Sequence, residues 1–148
     1  MTTTRTGKTQ DTELATRLRL AVMRLARRLR RQAPEGISPS QLSALATLDG
    51  HGRLTLSELA AAERVRPPTM TRVVAALEGA GLVARSVDVK DRRCTHLELT
   101  GKGKRLIGRA RNRKTAYLAA GLAGLSDADR ATLAAATEIL ERFVKEPG

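Results

Sequence analysis

Residues 55–99 constrain this chain more than any other stretch, because only a few local structures accommodate their order of caps, prolines, glycines and apolar spacings. Thr55 and Glu58 stand in the T-x-x-E pattern that opens a helix, here over Ser57–Glu63, since the threonine oxygen can accept a backbone N–H of the first turn. Val65-Arg66 is a tight turn. Pro67 and Pro68 fit a first helical turn, where the N–H groups have no intrahelical partner, so a second helix starts at Pro67 and ends near Gly79-Ala-Gly81. Within it Met70, Val73, Val74 and Leu77 form an apolar stripe, while Thr69, Arg72 and Ala76 share another face with Pro68 at its leading edge. Leu82–Val87 and Cys94–Leu99 then read as two strands around a charged turn, with Thr95, Leu97 and Leu99 on a dry face and Cys94, His96 and Glu98 on a wet one.

The flanks are helical. Leu14, Leu18, Val22, Leu25 and Leu29 recur at helical spacing and predict a helix over Asp11–Arg31, preceded by a disordered basic tail over residues 1–10. Ser38-Pro39-Ser40-Gln41 is a capping box with proline at the first helical position, and its helix is expected to run to Leu48 and stop at Asp49-Gly50-His51-Gly52. Leu54-Thr55-Leu56 is expected to contribute a single bridge to the hairpin. After Thr100 the pattern is helical again, with Leu106, Ala110, Tyr117, Leu118 and Leu122 on one side. Ser126-Asp-Ala-Asp129 caps a last helix to Val144 that offers Leu133, Ala136, Leu140, Phe143 and Val144 for burial. The expected fold is mainly α with a small β-wing: a winged helix-turn-helix lobe over 37–99 joined to N- and C-terminal helices, all in one domain over 11–148.

Charge narrows the partner. Lys and Arg number 27 against 15 Asp and Glu, a net charge of +12, which points to a polyanion. Tyr117 and Phe143 are the only aromatic residues, so the stacking platforms of single-strand and RNA-loop binders are missing, as are the aromatic anchors of a membrane-surface helix. Double-stranded DNA remains. A short turn ahead of helix 67–79 lets its N-terminal side chains reach base edges in a major groove, and a basic hairpin can meet the neighbouring minor groove or phosphates. The residues so placed are Arg66, Pro68, Thr69, Thr71 and Arg72 on the helix, and Arg85, Lys90, Asp91, Arg92 and Arg93 on the wing over 85–96. Thr69, Thr71 and Arg72 offer hydroxyl and guanidinium donors, and Asp91 is positioned to accept from the Arg93 guanidinium and aim it.

Leu56-Ser-Glu-Leu-Ala60, Thr71-Arg72 with Leu77-Glu78 and Gly81-Leu-Val83, and Asp91-Arg92-Arg93 leading to Leu97-Glu-Leu-Thr100 and Gly103 resemble the MarR family of winged-helix regulators. The likeness covers Asp11 to Lys145, and its Asp-x-Arg wing motif is the more specific part. It implies an obligate homodimer built from the first, fifth and sixth helices, here residues 11–36 and 100–146. Leu14, Leu18, Val22, Leu25, Leu118, Leu122, Leu140 and Phe143 would then face the partner. It further implies pseudo-palindromic operators, usually repression, and often release by a small-molecule effector or an oxidant. Two departures stand out. Arg66 replaces the Ser or Thr that relatives carry at the recognition-helix cap, and the single cysteine lies on the wing rather than in the first helix where thiol-sensing relatives carry theirs.

Other chemistries find little support. Cys94 could serve as a thiolate sensor if Arg92 and Arg93 favour its charged form, although a lone strand cysteine is usually inert. One cysteine allows no internal disulfide and fits a reducing cytoplasm, and the polar tail from Met1 to Lys8 gives no apolar run, so a cytoplasmic location without a leader is expected. His51 and His96 lack metal-spaced partners, no phosphate-binding glycine loop follows a strand, and no catalytic triad is discernible, so neither metal, cofactor nor enzyme activity is expected. A sequence-tolerant nucleoid protein that coats DNA by charge is the alternative reading.

Overall fold

The computed structural model describes residues 3–146, in the order α1 (Thr3–Arg30), α2 (Pro39–His51), α3 (Leu56–Ala62), α4 (Pro67–Gly79), β1 (Val83–Val87), β2 (Thr95–Leu99), α5 (Gly101–Ala123) and α6 (Asp127–Lys145). This is a mainly helical chain with a two-stranded antiparallel wing, in which Val83 pairs with Leu99 and Val87 with Thr95. Leu54 adds the single bridge expected of it, to Leu97. No helix among the described residues is long and apolar enough to cross a membrane.

Caps set most of the boundaries. Ser38 and Gln41 form the capping box of α2, with Gln41 N donating to Ser38 Oγ and Ser38 N to Gln41 Oε1. Thr55 Oγ1 accepts from Glu58 N at the start of α3, and Ser126 Oγ from Asp129 N at the start of α6. Two boundaries depart from expectation. Helix α1 begins at Thr3, so the disordered tail expected over 1–10 is replaced by helix from residue 3 onward; Met1 and Thr2 lie outside the described residues. The apolar stripe begins only at Leu14, but a polar stretch without proline continues a helix already nucleated, and Thr12 Oγ1 donates back to Lys8 O there. Helix α2 runs to His51 instead of Leu48, because Gly50 is tolerated inside it and the chain turns only at Gly52, at φ 82°.

The core is one cluster running from Leu42 to Ala110, with Leu45, Leu48, Leu59, Met70, Val74, Leu77 and Leu97 almost wholly enclosed. Helix α4 packs on α2, α3 and β1 through Met70, Val74 and Leu77. The chain divides into two compact units, Met1–Lys114 and Thr115–Gly148. The physical reason is that the whole core lies before residue 111, while α6 buries no residue at all. Pro147 and Gly148, at the end of the expected domain, lie outside the described residues.

The end of α4 and the start of α5 are tied into one joint from which the wing projects. Thr100 Oγ1 donates to Gly81 O at 2.6 Å and accepts from Gly103 N at 3.1 Å, Thr100 N donates to Leu82 O at 3.1 Å, and Lys102 Nζ reaches Ala80 O at 2.9 Å. Gly103 permits this closeness, since a Cβ there would lie 2.2 Å from Leu82 O. Gly103→Ala is therefore expected to destabilise the lobe by about 1–3 kcal/mol, the usual range for overpacking. Urea denaturation followed by circular dichroism measures it, and an unchanged midpoint would contradict the joint.

Candidate nucleic-acid interface

Burial of one face of α4 turns the other outward. Thr69, Thr71 and Arg72 are exposed, as are Arg66 and Pro68 at the helix start. Arg66 occupies the N-cap position with extended backbone and makes no side-chain cap hydrogen bond, so its guanidinium is not committed to the helix. Thr71 does not offer a free hydroxyl donor as expected: its Oγ1 donates to Pro67 O at 2.9 Å, the habit of threonines inside helices, and it retains only acceptor capacity. Among the described residues, Arg66, Arg72, Lys90, Arg92 and Arg93 have no acidic side chain paired with them.

The wing tip is built by two aspartates acting on the backbone. Asp88 Oδ1 accepts from Lys90 N at 2.8 Å and from Asp91 N at 3.4 Å, while Asp91 Oδ1 accepts from Arg93 N at 3.0 Å. Cross-tip bonds from Cys94 N to Asp91 O and from Asp88 N to Cys94 O close the turn. Asp91 therefore does not aim the Arg93 guanidinium, as the sequence suggested. Its short side chain reaches the backbone two residues ahead more readily than the end of a long one, and the aspartate shapes the tip that carries the arginine. Asp88, which carries no motif signal in the sequence, anchors the same turn. The N–H groups of Lys90 and then Asp91 hold its carboxyl below the ordinary carboxylate range.

Arg85 sits differently from the other wing cations. Its Nε lies 2.8 Å from Glu78 Oε1, joining β1 to the last turn of α4, so its charge is already partnered within the lobe. At the wing base, Arg53 Nη2 donates to Ser86 Oγ at 2.8 Å and its Nε approaches Glu98 at 4.0 Å. His96 Nδ1 is buried without a hydrogen-bond partner among the described residues, 3.9 Å from Asp88 Oδ2. Neither Arg53 nor Asp88 belongs to a motif: Asp88 directly follows β1 in sequence, and Arg53 is brought to the wing base beside the Leu54–Leu97 bridge.

At Cys94 the geometry favours the inert reading over the thiolate sensor. Its Sγ lies 3.8 Å from Asp91 Oδ2, and the thiol is pushed above its ordinary range, first by that carboxylate, then by desolvation and by Asp88. Asp91 outweighs Arg92 and Arg93 because the tip folds its carboxylate against the sulfur, which favours the neutral thiol. Among the described residues no set of His, Cys, Asp and Glu is grouped to hold a metal ion.

Two measurements follow from the tip. Alkylation of Cys94 by iodoacetamide at pH 7.5 should be slower than that of a cysteine in an unstructured peptide, and Asp91→Asn should speed it; an equal or faster rate in the native chain would contradict the electrostatics described. Asp88 has a folded-state pKa below its unfolded value, so its stabilisation of the turn is present above the unfolded value and is lost as pH falls through the folded one. Hydrogen exchange at Lys90 N should accordingly stay slow through the usual carboxylate range and quicken only below it. Loss of protection already at pH 5 would show that the carboxylate does not hold the turn.

Comparison with known proteins matches this architecture. Residues 37–95 fit the model of the MarR family. An HTH-type transcriptional regulator of Mycobacterium bovis is 42% identical over 137 residues, covering 92% of this chain and 96% of that one. The HTH-type transcriptional repressor MdtR of Bacillus subtilis is 42% identical over 69 residues, 47% of this chain and 44% of MdtR. Among solved structures, a transcriptional regulator of Pseudomonas aeruginosa superposes with a TM-score of 0.82 at 37% identity, covering 93% of this chain and 99% of that one. The winged helix-turn-helix lobe, its basic wing and these likenesses together show that the chain belongs to the MarR family of DNA-binding transcriptional regulators.

Proposed function

We propose that this chain is a homodimeric repressor that reads a pseudo-palindromic operator through α4 and grips the flanking DNA with its wing. The observation carrying the proposal is that Arg66, Arg72, Lys90, Arg92 and Arg93 all project from ordered backbone with no acidic partner among the described residues. Cations so arranged gain most from phosphates and base edges, because pairing with DNA costs them no existing partner. Thr69 and Arg72 on the outward face of α4 are the proposed base readers, with Thr71 as an acceptor and Pro68 in apolar contact. Arg66 and the wing cations hold phosphate or the minor groove. Asp91 shapes the tip, and Arg85, being paired with Glu78, braces the wing against the helix. Repression is the mode suggested by the likeness to MdtR.

The dimer is supported by what each unit leaves uncovered. Leu14, Leu18, Val22 and Leu25 on α1 are exposed in the single chain, as are Leu118 and Leu122 on α5, and Leu140 and Phe143 on α6, with Phe143 at 73%. A face of this kind marks an association surface, since a helix that buries nothing is marginal by itself. A second copy would cover these residues and hold two α4 helices about 34–36 Å apart, one turn of duplex. Release by a small molecule completes the proposal. An open cleft of about 410 Å³, lined by Arg30, Ser43, Glu63, Thr69, Met70 and Val73, adjoins α4, so a ligand wedged there would shift the reading helix.

Fluorescence anisotropy tests the central part, using the duplex upstream of the chain's own reading frame and a scrambled duplex at two salt concentrations. The expected result is a preference of about 10³ or more for the upstream duplex. Equal affinity for both, falling steeply with salt, would instead mean a sequence-tolerant DNA-coating protein. Arg93→Ala should weaken operator binding about tenfold or more, the scale of one charged hydrogen bond, with an unchanged melting temperature; full affinity would remove the wing from the mechanism. In sedimentation equilibrium Leu25→Glu should yield monomer, and a persistent dimer would overturn the assignment of α1 to the interface.

A further inference from the structure

Helices α3 and α4 end in the same hydrogen-bond motif. At the end of α4, Gly81 N donates to Glu78 O and Leu82 N to Leu77 O, each at 2.9 Å, with Gly81 at φ 72°. At the end of α3, Arg64 N donates to Ala61 O at 3.1 Å and Val65 N to Ala60 O at 3.0 Å, with Arg64 at φ 55°. Glycine ordinarily occupies this left-handed position, because any Cβ crowds the following carbonyl. Arg64 is the one non-glycine residue with positive φ among the described residues. The turn itself would close at least as well with glycine, so its geometry gives no reason for an arginine.

Packing gives no reason either. Arg64 is exposed, and among the described residues its side chain makes neither an ion pair nor a hydrogen bond. The neighbouring acid is engaged elsewhere. Glu63 Oε2 accepts from Ser43 Oγ at 2.7 Å and Glu63 Oε1 accepts from Thr47 Oγ1, so this carboxylate is turned onto α2. No acid stands in the first turn of α4, which begins two residues beyond Val65. The result is an uncompensated guanidinium on strained backbone, fixed to the scaffold by its neighbour and set at the turn that leads into the reading helix. Strain of this kind is concentrated at functional sites.

We propose that Arg64 is a DNA-phosphate contact, gripping the sugar–phosphate backbone at the edge of the groove that α4 enters. The inference rests on the DNA-binding role proposed above and adds to it a residue in the turn, outside both helix and wing. Its signature is an opposition between stability and binding. Arg64→Gly removes the strain and the charge together, so its urea midpoint should rise. Its affinity should meanwhile fall about tenfold, alike on operator and scrambled duplex, because a phosphate contact carries no sequence information. The slope of log affinity against log salt should become shallower by about one per protomer. Arg64→Lys keeps charge and strain, and should keep the slope and the midpoint of the native chain. An Arg64→Gly chain with native affinity and slope would overturn the proposal, as would loss confined to the operator or an Arg64→Lys slope equal to that of Arg64→Gly. A native chain that binds neither duplex overturns the DNA-binding role itself, whereas a native chain with a steep salt slope that Arg64→Gly leaves intact overturns only the assignment of Arg64.

Discussion

Burial of Met70, Val74 and Leu77 against α2, α3 and β1 is the constraint on which the rest of the structure depends. With that stripe enclosed, helical geometry leaves Thr69 and Arg72 no direction but outward, and the two prolines ahead of them fix where the helix begins. The far end of the same helix is held as firmly. Gly81 reverses the chain, Thr100 bridges Gly81 to Gly103, and the strands leave that joint in fixed register. Helix α4 and the wing are thus two projections of one core, the preorganisation that the proposed reading of a groove would require.

The charge pattern divides into cations already partnered and cations left open. Arg85, Arg53 and Arg111 lie against Glu78, Glu98 and Asp49, and such exposed pairs contribute little stability but do fix side-chain direction. The acids at the wing tip are spent on backbone N–H groups instead, which shapes the turn without neutralising Lys90, Arg92 or Arg93. Asp91 raises the pKa of Cys94 through the same arrangement, so tip geometry and the weakened thiolate have one cause. The net charge of +12 is therefore not a diffuse property of the surface. Part of it is concentrated on ordered backbone where no internal acid competes with an outside anion.

The sequence was most legible where local chemistry is unambiguous. Pro67 and the glycines after Leu77 bounded α4 correctly, Ser38 with Gln41 bounded the start of α2, and alternation along Thr95–Leu99 identified Leu97 and Leu99 as buried. It was least legible where structure overrides pattern. Nothing in the polar residues before Leu14 signals helix, and Gly50 reads as a stop although it lies inside α2. The positive φ of Arg64 is invisible to propensity, which would assign that position to glycine. The partners of Arg85 and Cys94 were illegible for a shared reason: Glu78 and Asp91 are brought to them by tertiary and turn geometry rather than by spacing alone. The leucines of α1 and α6 were recognised as apolar faces, but only the structure shows them uncovered within a single chain.

Hydroxyl-radical footprinting on the duplex upstream of the chain's own reading frame tests most directly the claim that paired α4 helices read successive major grooves. Two protected patches with centres about 10–10.5 base pairs apart are expected, one for each protomer, flanked by weaker protection from the wings. Uniform protection along the duplex, with no register between patches, would contradict that claim.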